Sequence, residues 1–136
     1  MEQVFADTDI LLDLLSRREP HYPSAAALFS MADRGNIVIH VSSLSFANLN
    51  YLLSRQYSAG QARNLLMTFK TLVRVLPITD KIVELALASE FKDFEDAMQY
   101  FTALEHGINI LLTRNLKDYK HADIHVLTAE HFLKDR

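Results

Sequence analysis

Short apolar runs alternate along this chain with longer stretches whose apolar residues recur three and four apart, the pattern of strands alternating with amphipathic helices. Gln3 to Ala6 is a strand-length run ended by Asp7-Thr8-Asp9, after which Ile10, Leu11, Leu14 and Leu15 recur at helical spacing. Glu19 to Pro23 reads as a loop, and Tyr22 to Asp33 predicts an alanine-rich helix that Arg34-Gly35-Asn36 stops as a glycine C-cap does. Ile37 to Val41 is a β-branched strand, and Ser42-Ser43 offers N-caps for a helix over Leu44 to Arg55. Ser58 caps a further helix through about Leu72. Val73 to Ile78 reads as a third strand ended near Pro77, and Thr79 or Asp80 starts a helix to about Glu90. Phe94 to Glu105 is helical and closes on Gly107, followed by Ile108 to Leu112, the clearest buried strand. Ile124 to Leu127 is the last strand, with Thr128 capping a short C-terminal helix.

Strands alternating with helices predict an α/β fold, a parallel sheet of four to five strands covered on both faces. No internal repeat, low-complexity segment or linker interrupts the pattern, so residues 1–136 are expected to form a single domain. At 136 residues, roughly two thirds of the unfolded surface is buried on folding, enough for a stable core without staples. Cysteine is absent, which removes disulfides and thiolate metal sites and fits a reducing compartment. The start, MEQVFADTD, is too acidic for a secretory signal, and no apolar stretch approaches the roughly 18 residues of a membrane span. A cytoplasmic protein without membrane association is the expectation. A net charge of −3 argues against a broad basic nucleic-acid surface, but a bound divalent cation inverts local charge where phosphate must sit.

Acidic and amide residues recur where apolar runs meet helices: Asp7, Asn48, Asp96, and the pair Asn115 and Asp118. In a parallel sheet such junctions converge on one edge, where α/β folds bind ligands. Asp7 follows the first strand directly, although a plain turn residue, with Asp9 or Thr8 capping the next helix, explains it about as well. Asp93 is able to cap the helix in which Asp96 stands third, and the helix dipole favours all the acids of Asp93-Phe94-Glu95-Asp96. Thr113-Arg114-Asn115-Leu116-Lys117-Asp118 places a cation, an amide and a carboxylate after the Ile108 to Leu112 strand, a combination that grips metal and phosphate together. Asn48 shares a helix face with Leu44, Tyr51 and Leu52, so it is expected on or beside a buried stripe, either as a satisfied core amide or facing the same pocket as Asp7. The six histidines show no metal-motif spacing.

Taken in order, Val4-Phe5-Ala6-Asp7-Thr8-Asp9-Ile10-Leu11-Leu12, Ser42-Ser43-Leu44-Ser45-Phe46-Ala47-Asn48-Leu49, Asp93-Phe94-Glu95-Asp96-Ala97-Met98-Gln99 and Leu112-Thr113-Arg114-Asn115-Leu116-Lys117-Asp118 resemble the PIN domain family, most closely the VapC-like toxins of bacterial toxin-antitoxin pairs. The resemblance spans nearly the whole chain. It implies a Rossmann-like three-layer α/β/α sandwich acting as an endoribonuclease dependent on Mg2+ or Mn2+. It matches Asp7 to the family's first acid, Asp96 to the third, and Asn115 or Asp118 to the last. Asp7 and Asp96 would ligate the metal, Asp118 a metal-bound water or second ion, Thr8 or Ser43 would give polar support, and Arg114 or Lys117 would steady the phosphate. An antitoxin protein, an RNA substrate and a homodimer are the implied partners.

Three positions depart from that pattern. Asn48 stands where the family's second acid is usually Glu, Asn115 where Asp is frequent, and Asp9 where Asn usually follows the Asp-Thr pair. An amide oxygen is able to ligate but cannot take a proton from water, so weaker metal affinity or slower cleavage is expected. Asp9 partly restores the lost charge; a regular strand would point it away from Asp7, and a turn there would relax that objection. Two other readings stand beside this one: a catalytically inactive PIN-like binding module, and a phosphoaspartate phosphatase of haloacid dehalogenase type built on Asp7-Thr8-Asp9. Tyr51, Leu53, Tyr57, Met67 and Phe69 are read mainly as core, with a partner interface as the alternative.

Overall fold

The computed structural model describes residues Met1–Arg136. Strands β1 (Glu2–Ala6), β2 (Ile37–Ser42), β3 (Arg74–Leu76), β4 (Ile110–Leu112) and β5 (His125–Leu127) form one sheet in the order β3-β2-β1-β4-β5, every neighbouring pair parallel. Seven helices connect and follow them: α1 (Thr8–Leu15), α2 (Tyr22–Asp33), α3 (Ser43–Gln56), α4 (Ala59–Lys70), α5 (Asp80–Leu87), α6 (Phe94–Glu105) and α7 (Ala129–Lys134). A 3-10 turn, Leu116–Tyr119, lies between β4 and β5. No helix is long and apolar enough to cross a membrane.

Alternation along β1 divides the interior in two. Val4 and Ala6 enter a large core with Leu11, Leu28, Ile39, Leu49 and Phe132, built from α1, α2, α3, α4 and α7. Phe5 points to the opposite face, where Tyr100 and Ala103 of α6 join Ile108, Leu111 and Tyr119. The sheet is therefore the middle layer of an α/β/α sandwich, with α5 packed on α6. Phe5 and Leu111 are fully buried, and each such side chain stabilises the fold by roughly 1.5–3 kcal/mol.

Helix ends follow the local chemistry of the sequence. Gly35 and Gly107 take positive φ, 78° and 72°, and both close Schellman-type ends: Asn36 N–H reaches the Met31 carbonyl at 2.9 Å, and Ile108 N–H reaches that of Ala103 at 3.0 Å. That second bond shortens β4. Ile108 belongs to the helix end and not to the ladder, so the strand begins at Ile110 instead of Ile108. Val73 is likewise drawn into the turn after α4 by a 3.4 Å bond to the Lys70 carbonyl, so β3 starts at Arg74, and it ends at Leu76, before Pro77, which has no N–H for the ladder.

Chain winding reverses at β1: β2 and β3 lie on one side of it, β4 and β5 on the other. Such a switch point opens a crevice beyond the carboxyl ends of the strands. Asp7 and Thr113 are the first residues past β1 and β4, and their N–H groups extend the ladder to the Leu112 and Leu127 carbonyls at 2.9 and 3.0 Å.

Candidate active site

Asp7 is the N-cap of α1, and its Oδ1 accepts the Thr8 N–H at 2.8 Å. Its Oδ2 accepts the hydroxyls of Thr113 and Tyr119, each at 3.0 Å. The cap is thus Asp7 itself and not Thr8 or Asp9, and the residue is only 5% exposed. Asp9 lies in the first turn of α1, not in a regular strand, so the objection from strand geometry does not apply and the side chain reaches the residues after β4. Its Oδ2 accepts the Arg114 N–H at 2.9 Å and lies 3.3 Å from Thr113 Oγ1, while Oδ1 is buried with no partner.

Across the crevice, Asp93 caps α6 by accepting the Asp96 N–H at 3.0 Å. Capping therefore accounts for Asp93, and the half-buried Asp96 side chain is left to meet the Tyr119 hydroxyl at 3.4 Å. Tyr119, 2% exposed, links the two acids; it carries no sequence signal because it ends a 3-10 turn with no apolar period.

These carboxylates disturb one another. Burial pushes the Asp7 pKa up to about 7, and the charges of Asp9 and Asp96 add to the shift. Burial, then Asp93 and Asp118, raise Asp96 to about 6. Burial also raises Asp9, although its bond from the Arg114 N–H opposes the shift. Tyr119 is held well above the ordinary phenol range by burial and the neighbouring acids, so it stays a proton donor.

The remaining sequence-derived residues sit further out. Asp118, Asn115 and Lys117 are exposed, and Asp118 reaches the cluster through its charge on Asp96. Arg114 Nε is committed to the buried Asp13 at 2.8 Å, an ion pair the sequence reading missed. Ser43 is exposed and makes no side-chain hydrogen bond to the acid cluster. Ser42 is the N-cap, which places Ser45 inward: Ser45 Oγ lies 2.8 Å from Thr8 Oγ1, and Gln99 Nε2 donates to both at 3.0 and 3.1 Å. This fully or partly buried triad ties α1, α3 and α6 together.

Asn48 lies beside a buried stripe, although not the one its apolar neighbours suggest. The buried face of α3 is Ser45, Leu49 and Leu53; Asn48 is half-buried, and its neighbours Tyr51 and Leu52 are 60% and 40% exposed. Asn48 Nδ2 donates to Glu95 Oε2 at 3.3 Å, and both residues line a shallow pocket of about 260 Å3 with Thr8.

No three Asp, Glu or His side chains stand close enough together to enclose a metal ion. Mg2+, however, characteristically uses one or two carboxylates and keeps several waters. Asp7 and Asp96 supply hard oxygen donors, Asp9 Oδ1 is buried without a partner, and burial, with the neighbouring acids adding to it, disfavours the charged carboxylates that a cation would stabilise. The donor set fits such an ion.

A protein-family model described as PIN domain matches residues 3–117, a span that includes Asp7, Asn48, Asp96 and Asn115. The chain belongs to the PIN domain family. Among curated proteins, this PIN domain is 27% identical over 139 residues to Ribonuclease VapC1 of Aquifex aeolicus (strain VF5), covering 96% of this chain and 93% of that protein. Among solved structures, a toxin-antitoxin complex from Klebsiella pneumoniae aligns with a TM-score of 0.70 at 24% identity, covering 93% of this chain and 97% of that one. VapBC2 from Rickettsia felis, bound to a DNA fragment from its promoter, aligns at 0.68 and 19% identity, covering 92% and 96%. These structural likenesses are likenesses of fold, and the PIN sandwich is the fold described above.

Proposed function

We propose that this PIN domain is an endoribonuclease dependent on Mg2+ or Mn2+, with the cation held by Asp7 and Asp96. One observation carries the reading: a buried and a half-buried carboxylate, their pKa values raised to about 7 and about 6, meet at the switch point of a parallel sheet with Asp9 beside them. Its curated relative named as a ribonuclease supports the same chemistry. When bound, such a cation supplies charge stabilisation at phosphorus and a lowered pKa for an attacking water. Thr113 and Tyr119 hold Asp7, and the Arg114 N–H holds Asp9. Asp118 and Asp93 add negative charge at the mouth, and Lys117 is free to meet a substrate phosphate; Asn115 lines a neighbouring polar cleft with Arg114.

Asn48 attenuates this activity, because an amide bonded to Glu95 brings no charge of its own to the cation. That same contact favours a second reading, a PIN domain that binds a partner without cleaving. An oligoribonucleotide assay with Mn2+, run with and without chelator and with Asp7→Ala as control, separates the two. Cleavage by the wild type alone supports the nuclease; equal background in both proteins leaves the binding module.

An antitoxin partner and a homodimer complete the proposal. Tyr51, Tyr57 and Met67 are exposed rather than core, at 60%, 41% and 70%, while Leu53 and Phe69 are buried. Tyr57 and Phe69 line a largely apolar groove of about 600 Å3 together with Leu14, Leu15, Leu65 and Leu72, a surface suited to a partner's apolar helix.

A further inference from the structure

We propose that Tyr119 is a positioning residue for the metal-binding carboxylates: its phenol holds one oxygen of Asp7 and reaches toward Asp96, leaving the other Asp7 oxygen oriented for the cation. The inference rests on the metal-dependent reading above.

Packing fixes where the ring can be. Tyr119 belongs to the smaller core with Phe5, Tyr100 and Leu111, and Phe91 meets its ring edge-on at 5.8 Å between centroids. A phenylalanine would fill that space equally well, so packing does not require the hydroxyl. A buried hydroxyl is costly unless it is hydrogen-bonded, and the acceptors within reach of this one are Asp7 Oδ2 at 3.0 Å and Asp96 Oδ1 at 3.4 Å.

Asp7 shows what the bond achieves. Oδ2 receives two hydroxyls, from Thr113 and Tyr119, whereas Oδ1 receives only the Thr8 N–H. With about four lone-pair sites on a carboxylate, the open one is on Oδ1. Two donors on Oδ2 stop the carboxylate from rotating, and the same phenol oxygen lies 3.4 Å from Asp96 Oδ1, between the two acids. Outer hydrogen bonds of this kind characteristically change metal affinity by about 10- to 100-fold.

The test compares Mn2+ affinity, read by calorimetry and by the spin-resonance signal of free Mn2+, in the wild type, Tyr119→Phe and Phe91→Leu. Tyr119→Phe is expected to keep its Tm within a few degrees and to bind Mn2+ about tenfold more weakly. Phe91→Leu trims the same aromatic cluster without touching an acid, so it should lower Tm and leave affinity unchanged. Wild-type affinity in folded Tyr119→Phe, or an equal loss in Phe91→Leu, overturns the proposal. Should Tyr119→Phe not fold, fluorine resonances of wild-type protein labelled with 3-fluorotyrosine decide: the Tyr119 signal must move when Mg2+ is added, and a fixed signal overturns it. A folded wild type that does not bind Mn2+ at all instead removes the metal-dependent reading itself.

Discussion

Asn48 Nδ2 donates to Glu95 Oε2 across 3.3 Å, which joins α3 to the first turn of α6 at the edge of the acid cluster. The amide therefore stands where the family resemblance expects a glutamate, and it faces a carboxylate that the sequence assigned to the helix dipole. A second acid at position 48 would repel Glu95 unless a cation lay between them.

Asn48→Glu is accordingly expected to tighten Mn2+ binding by about tenfold, the effect of about 1.4 kcal/mol. It should also lower the metal-free Tm by a few degrees, and Glu95→Gln in the same background should restore it. Calorimetry showing unchanged Mn2+ affinity would place residue 48 outside the cation's reach.

The raised carboxylates make a pH prediction with a definite sign. Asp7 has a folded pKa of about 7, above the value of roughly 3.9 for an unfolded carboxylate. The folded state therefore holds a proton that the unfolded state has released, and Asp7's contribution to stability falls as pH rises between those values. Asp7→Asn removes the loss. Its stability relative to wild type should climb between pH 5 and pH 8 without metal, and saturating Mn2+ should cancel the climb. A pH-independent difference in urea unfolding would show that Asp7 is not strained by charge.

Asp13 is 2% exposed and pairs with Arg114 at 2.8 Å, so Arg114→Ala strands a buried carboxylate. The expected cost is about 3–5 kcal/mol in chemical denaturation. Adding Asp13→Asn should recover much of it. Asp9 is held by the backbone N–H of Arg114, so Mn2+ binding by the folded variant should survive; a loss of affinity would make the guanidinium part of the site.

Elements with strong periodicity were legible in the sequence. Tyr22–Asp33 and Phe94–Glu105 form helices at their expected limits, because a glycine with positive φ ends each signal. Ile108 and Val73 were misplaced because an apolar residue claimed by a helix end looks the same in sequence as one in a strand. In the site, Asp7 and Asp96 stand out because each starts a helix at the carboxyl edge. Tyr119, Ser45 and Gln99 do not: their roles come from contacts 23 to 112 residues apart, which no local pattern records. Asn48 lies beside a buried stripe, but that stripe is Ser45, Leu49 and Leu53; Tyr51 and Leu52, large and apolar in the sequence, are left exposed.

The central claim is that Asp7 and Asp96 form a cation-dependent centre for RNA cleavage. Its most direct measurement is the cleavage rate of a structured RNA by wild type, Asp7→Asn and Asp96→Asn, each shown to be folded and stripped of metal, as Mn2+ is titrated in. The account predicts cleavage only with added Mn2+ or Mg2+ and a loss of at least about a hundredfold in either variant, as for removal of a charge-stabilising group. Cleavage that persists in excess chelator, or that proceeds at the wild-type rate in Asp7→Asn, would contradict it.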